Sequence, residues 1–210
     1  MLGANLLTNL RRVAAATTAL DTEIGALVAR VTQKKFLDNT LIVFTSPCGS
    51  LFGRHGLWGS GDSSDLVNMY QEVIAPPMLW SWAGHAVPLA ARPETVSAYD
   101  LVPTICDITP AELPERNLCG RSYLALASGK PLPKKQPWPT TVFAQYLDTA
   151  MARNDRYKLI VRNEGKGPGE LYDEKVDPRE RVNQYDNPQF MTVKAAMLAD
   201  LVKWKQKYSA

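Results

Sequence analysis

The feature that most limits what this 210-residue chain can fold into is a long amphipathic helix leading straight into a short apolar strand. Val13, Leu20, Ile24, Leu27, Val28 and Val31 recur on one helical face, which predicts a helix from about Asn9 to Lys35. Leu37-Asp38-Asn39-Thr40 then turns the chain into Leu41-Ile42-Val43-Phe44, an apolar, β-branched run of strand character. A Gly- and Ser-rich stretch from Gly49 to Ser64 follows, too long for a simple connection and so a candidate site loop. That order predicts an α/β fold, in which ligands bind beyond the carboxyl ends of the strands.

Farther along, Leu66 to Ile74 reads as a short helix stopped by Ala75-Pro76-Pro77. Met78-Leu79-Trp80-Ser81-Trp82 reads as a second buried strand, its tryptophans serving as core. Tyr99 to Ile108 reads as a helix with Pro103 in its first turn. Lys130 to Pro139 is an extended, proline-rich connector. Beyond it, Val142 to Tyr146 and Tyr157 to Arg162 are strand-like, Met151 to Arg153 suggests an edge strand, and Leu171-Tyr172-Asp173 a last short one. Asn187-Pro188 caps a terminal helix presenting Phe190, Val193, Met197, Leu201, Trp204 and Tyr208 on one face. The chain therefore divides into an α/β part, residues 1–128, and a small antiparallel sheet with a long C-terminal helix, residues 129–210.

A net charge of +3 is too small to suggest nucleic acid. The basic residues between Lys130 and Lys135 lie among prolines and read as a solvated linker. Cys48, Cys106 and Cys119 form no Cys-x-x-Cys pair, and their odd number argues against a disulfide framework. No run approaches the ~18 apolar residues of a membrane span. Met1 to Arg12 lacks a charged region ahead of an apolar one, so the expected location is cytoplasmic.

Several stretches resemble, in order, the C-terminal half of the sulfatases of the alkaline phosphatase superfamily. They are Ala19-Leu20-Asp21-Thr22-Glu23-Ile24-Gly25, Leu37-Asp38-Asn39-Thr40 through Gly56-Leu57-Trp58-Gly59, and Met69-Tyr70-Gln71-Glu72. Tyr99-Asp100-Leu101-Val102-Pro103-Thr104 and Gly120-Arg121-Ser122 follow, then Tyr157-Lys158-Leu159-Ile160, Glu170-Leu171-Tyr172-Asp173 and Asp177-Pro178-Arg179-Glu180. The resemblance implies the C-terminal part of a sulfatase-like α/β sandwich.

The same resemblance marks departures. After the strand the family reads Thr-Ser-Asp-His-Gly or Thr-Ser-Asp-Asn-Gly, where the Asp and its neighbour bind a divalent cation. Here the text is Thr45-Ser46-Pro47-Cys48-Gly49. The family's nucleophile is a formylglycine in a Cys-x-Pro-x-Arg motif, and neither Cys48 nor Cys119 fits that motif. The family's sulfate-contacting lysine is replaced by Ser60 or Leu66, depending on the loop alignment, and a further arginine by Ala75. Pro47 has no side-chain donor, and a thiol is a soft ligand unsuited to Ca²⁺. The resemblance thus implies a sulfatase-like protein without its own catalytic centre or metal. The alternative is one piece of a working sulfatase whose N-terminal half is a separate chain.

Among residues that carry chemistry, Cys48 with His55 suggests a nucleophile and base, set against an inert thiol in a decayed site. Arg54, His55 and Trp58 match a family segment that lines the substrate pocket, set against a loop that merely packs Leu57 and Trp58 on the core. Asp62 and Asp65 read as solvated, and His85 as a surface residue. In the family, the strand here at Leu41 to Phe44 lies within a large sheet. Without those neighbours an apolar edge stays open, which predicts a homo-oligomer or a partner protein covering it.

Overall fold

The computed structural model describes residues 2–208 apart from 89, 90, 116, 133, 135 and 136. Pro133 and Lys135 of the connector therefore lie outside the described residues. Helix α1 (Leu2–Gln33) passes through a 3-10 turn (Leu37–Asn39) into strand β1 (Ile42–Thr45). The amphipathic pattern located this helix, although it starts earlier than the pattern predicts. Helix α2 covers only Gln71–Ile74. The expected helix from Leu66 is corrected there, because Asn68 bonds its amide into the preceding loop at Ser60, Gly61 and Ser64 instead of facing a helical turn.

Strand β2 (Met78–Ser81) pairs antiparallel with β1, Ile42 opposite Ser81 and Thr45 opposite Met78. Among the described residues these two strands form a sheet by themselves. Leu79 is 61% exposed, so β2 is not the buried strand the pattern predicts. Trp80 turns inward to meet Tyr123 edge-on at 4.7 Å, while Trp82 stacks on the exposed His85 at 4.1 Å.

Helix α3 (Leu101–Ile108) starts from a 3-10 turn (Ala98–Asp100) whose Ser97 and Asp100 form a reciprocal capping box. Asp100 also accepts the Arg121 amide at 2.9 Å, and Thr104 accepts that of Tyr123 at 3.0 Å. Gly120 makes this docking possible, since a Cβ there would strike the Tyr99 carbonyl oxygen. Helix α4 (Leu124–Ala127) follows, and Trp138 closes the cluster by donating its indole N–H to Thr95 at 2.8 Å.

The second sheet runs β3 (Val142–Tyr146), β4 (Thr149–Arg153), β5 (Tyr157–Arg162) and β6 (Glu170–Asp173), antiparallel and in chain order. β4 is thus an interior strand, not the edge expected at Met151. Side chains alternate across the sheet. One face sets Ala150, Ala152, Leu159, Val161 and Leu171 against Met197 and Leu201 of helix α5 (Met191–Tyr208). The other sets Met151, Ile160 and Tyr172 against Met69 and Tyr70. Asn187 caps the terminal helical segment through the Gln189 amide at 3.0 Å. No helix among the described residues is long and apolar enough to cross a membrane.

Candidate functional site

The turn leaving β1 lines a cleft together with residues from the 60–62, 67–76 and 95–98 segments. Gly49 fixes that turn. Its amide bonds the Val73 carbonyl at 2.7 Å, and a Cβ would collide with the Glu72 carbonyl oxygen. Pro47 and Cys48 are exposed just before it, and the Ser46 hydroxyl donates to the Cys48 carbonyl at 2.7 Å. Both residues line this cleft of about 570 Å³, within the size range of small-molecule sites. Ser60, Asp62, Asn68 and Gln71 also line it, as do β3, Met151 and Arg153.

The cleft is poor in available charge. Arg153 directs its Nε to both carboxylate oxygens of Glu174, at 2.8 and 3.1 Å. Exposed Asp62 accepts the Ser60 hydroxyl at 2.8 Å. Asn68 is buried and its Oδ1 lacks a protein partner. At the positions of Pro47 and Cys48 the side chains offer no hard oxygen donor, so the donor set does not fit Ca²⁺.

His55, Arg54 and Trp58 are not among the residues lining this cleft. The loop from Leu51 to Gly59 closes on itself through Leu51 N to Gly59 O at 2.9 Å and Gly53 N to Leu57 O at 2.8 Å. Left-handed backbone at Gly53 and at His55 (φ 54°) coils it tightly. His55 consequently stacks face to face on Tyr70, 3.7 Å between ring centroids. Its Nε2 lies 3.5 Å from Glu72, whose other oxygen is 3.3 Å from Arg54. The structure therefore places Cys48 on the cleft and His55 in an aromatic and ionic cluster beside it. Trp58 packs near Gly53, and Asp65 is exposed.

Sequence reasoning missed the ionic network beneath this cluster. Lys158, Ile160 and Arg162 share the sheet face that looks at the 67–71 segment. Fully buried Lys158 pairs with Glu180 and with Glu174 at 3.3 Å, and donates to the Met69 carbonyl at 3.2 Å. Glu180 accepts the Gln71 amide at 2.7 Å. Burial pushes the Glu180 carboxyl up from its ordinary range, while Lys158 pulls it back. Arg162 grips the Val67 carbonyl at 2.8 Å and Glu170 at 2.5 Å. Tyr172 donates to Glu170 at 2.7 Å, and burial raises the phenol of Tyr172, as it does that of Tyr70. The available signal was a lysine inside the run Tyr157 to Val161, where both strand faces are apolar.

His55, Glu72 and Glu180 bring one ligand atom each within 4.8 Å of one another. A cation there would compete with Arg54 and Lys158, which already occupy both carboxylates. The arrangement serves as a brace that fixes the Met69-Tyr70-Gln71-Glu72 segment to the sheet.

Known proteins similar to this chain include sulfatases and a phosphonate monoester hydrolase. The family model described as N-sulphoglucosamine sulphohydrolase, C-terminal, matches residues 59–207. A choline-sulfatase of Rhizobium meliloti is 26% identical over 86% of this chain and 34% of that protein. Arylsulfatase K of Gallus gallus is 28% identical over 78% and 31%. A protein solved in complex with its substrate D-glucosamine-2-N,6-O-disulfate superposes with a TM-score of 0.74 at 25% identity, over 91% of this chain and 39% of that one. The phosphonate monoester hydrolase of Agrobacterium radiobacter shares the fold, with a TM-score of 0.76 at 22% identity over 89% and 39%. The chain spans about a third of the length of the curated relatives it matches and about two-fifths of the solved chains.

Proposed function

Because the chain belongs to the sulfatase family, within its N-sulphoglucosamine sulphohydrolase C-terminal group, we propose that it does not hydrolyse sulfate esters by itself and acts instead as a binding or assembly member of that family. The observation that carries this reading is the turn after β1. Pro47 and Cys48 stand there, lining the cleft, where the family's motif has an Asp ligand and its neighbour. Ester cleavage of this kind needs a nucleophile, a divalent cation, and positive charge to meet the developing sulfate. A proline and a thiol cannot supply a hard-cation site. The guanidinium on the cleft wall, Arg153, is already committed to Glu174.

Cys48 does not rescue catalysis. Its neighbour in hydrogen bonding is Ser46, through the backbone, and His55 is turned to Tyr70 and Glu72. The test is an aryl-sulfate assay on the purified chain with and without Ca²⁺, alongside calorimetric Ca²⁺ titration. The expected outcome is neither turnover nor heat of binding. Metal-dependent turnover by the pure chain overturns the reading.

The fraction of the relatives' length that is matched favours a second reading, in which this chain is one piece of a working ester hydrolase whose remaining part is a separate polypeptide. Pro47 and Cys48 weigh against it, because a partner cannot restore side chains at this turn. Activity appearing on addition of a complementary N-terminal half from a relative selects this second reading.

A further inference from the structure

Helix α1 carries a strict repeat that the rest of the fold leaves unused. Leu6, Leu10, Val13, Thr17, Leu20, Ile24, Leu27 and Val31 follow one another at alternating steps of four and three. That is the ~3.5-residue period of a coiled-coil seam, and it favours another helix as the occupant over a flat sheet. Leu10, Leu20 and Leu27 on this seam are 40, 52 and 64% exposed, and α1 contains no buried residue among those described. The helix is tied down at its ends, by the Phe36 amide on the Val31 carbonyl and by Leu6 beside the Gly53 turn.

The seam is complementary to its own reverse. Laid antiparallel on a second copy, Leu6 meets Val31, Leu10 meets Leu27, Val13 meets Ile24 and Thr17 meets Leu20. Every seam position finds a partner, and the two symmetry-related Thr17–Leu20 layers, which carry the seam's polar residue, lie at the centre. The flanking positions agree. Leu7 comes beside Val28, Ala14 beside Asp21, Ala16 beside Glu23 and Asn9 beside Arg30, so no like charges oppose. Parallel pairing would instead gather Arg30, Lys34 and Lys35 of both copies at one end.

From this repeat, its exposure and its self-complementarity, we infer that α1 is a homodimerisation surface, pairing antiparallel with α1 of a second copy through the Leu6–Val31 seam. The arrangement is isologous and closed, because the same patch serves both copies. It lies on a different element from the open edges of β1 and β2.

The test is sedimentation of the full chain across a dilution series. A dimer is expected for the wild type. Leu20→Glu combined with Leu27→Glu is expected to raise its dissociation constant at least ~100-fold. Both positions are more than half exposed, so the circular dichroism stays unchanged. Leu20→Met keeps the seam apolar and keeps the dimer. Orientation is read by disulfide cross-linking after Cys48, Cys106 and Cys119 are replaced by serine. Leu6→Cys mixed with Val31→Cys cross-links, whereas Leu6→Cys alone does not. A wild type that is monomeric at every concentration overturns the proposal. So does a dimer indifferent to the double glutamate variant, which would assign association to the β1–β2 edges. Cross-linking by Leu6→Cys alone overturns the antiparallel order.

Discussion

The two sheets of this protein are built to different standards of closure. In the four-stranded sheet, Leu159, Ile160 and Leu171 are wholly buried, because α5 covers one face and the Met69–Tyr70 segment the other. In the two-stranded sheet, Phe44 and Leu79 remain open to solvent. A lone strand pair is marginal in water, whereas strands covered on both faces carry their own stability. One chain therefore contains a region that satisfies itself and a region that presents its apolar surface outward. The candidate cleft is lined by both, by Thr45 and Met78 of the two-stranded sheet and by β3, Met151 and Arg153 of the four-stranded one.

The sharpest way to break this contrast is at Lys158. Replacing it with alanine leaves buried Glu180 without its cation, takes from Glu174 one of its two, the other being Arg153, and leaves the Met69 carbonyl without this donor. The expected loss is ~3–5 kcal/mol in urea denaturation, since orphaning a buried charge costs more than losing a contact. A loss under ~1 kcal/mol would mean that the brace is ornamental.

Leu159→Ala tests the covered sheet itself, with an expected loss of ~2–5 kcal/mol. Retention of wild-type stability in the same denaturation experiment would remove the basis for calling this region self-sufficient.

Smaller is the effect of pH. The Arg156 guanidinium, at 2.8 Å, holds the Asp173 carboxyl below its usual range. The folded state then binds that proton less readily than the unfolded chain. The pair's contribution is complete above the ordinary aspartate value of ~3.9 and drains away as pH falls through the lowered one. Asp100 and Glu180 act in the opposite sense, because burial raises both. The stability they cost at neutral pH returns on acidification, between the raised values and the ordinary carboxylate range. Asp173→Asn should therefore flatten the acid limb of the stability curve, and an unchanged limb would exclude this pair as its source.

The smallest expected effect is Leu79→Ala, within ~0.5 kcal/mol for an isolated copy, since its side chain is already in water. A cost near that of Leu159→Ala would show the β1–β2 sheet to be covered in solution.

The sequence made these two regions legible to different degrees. β3 and β5 lie where their apolar runs predict, residue for residue, and Asn187-Pro188 caps the helix it was expected to cap. The interior place of β4 was not legible, because Thr149 to Arg153 carries no alternation, and only pairing with both β3 and β5 buries it. Pro47 and Cys48 could be read directly, since they are departures within a local motif. The brace could not. Lys158 and Glu180 are 22 positions apart, and their meeting depends on how the loop after β6 folds back onto β5. The stacking of His55 on Tyr70 was also hidden, because it depends on left-handed backbone at His55.

Gly49 carries a last consequence. The shape of the turn after β1 is set by a glycine pressed against the Glu72 carbonyl, and not by the side chains displayed just before it. Pro47→Asp and Cys48→Asn should enter such a turn without rebuilding the backbone, so a pair of oxygen donors is two substitutions away.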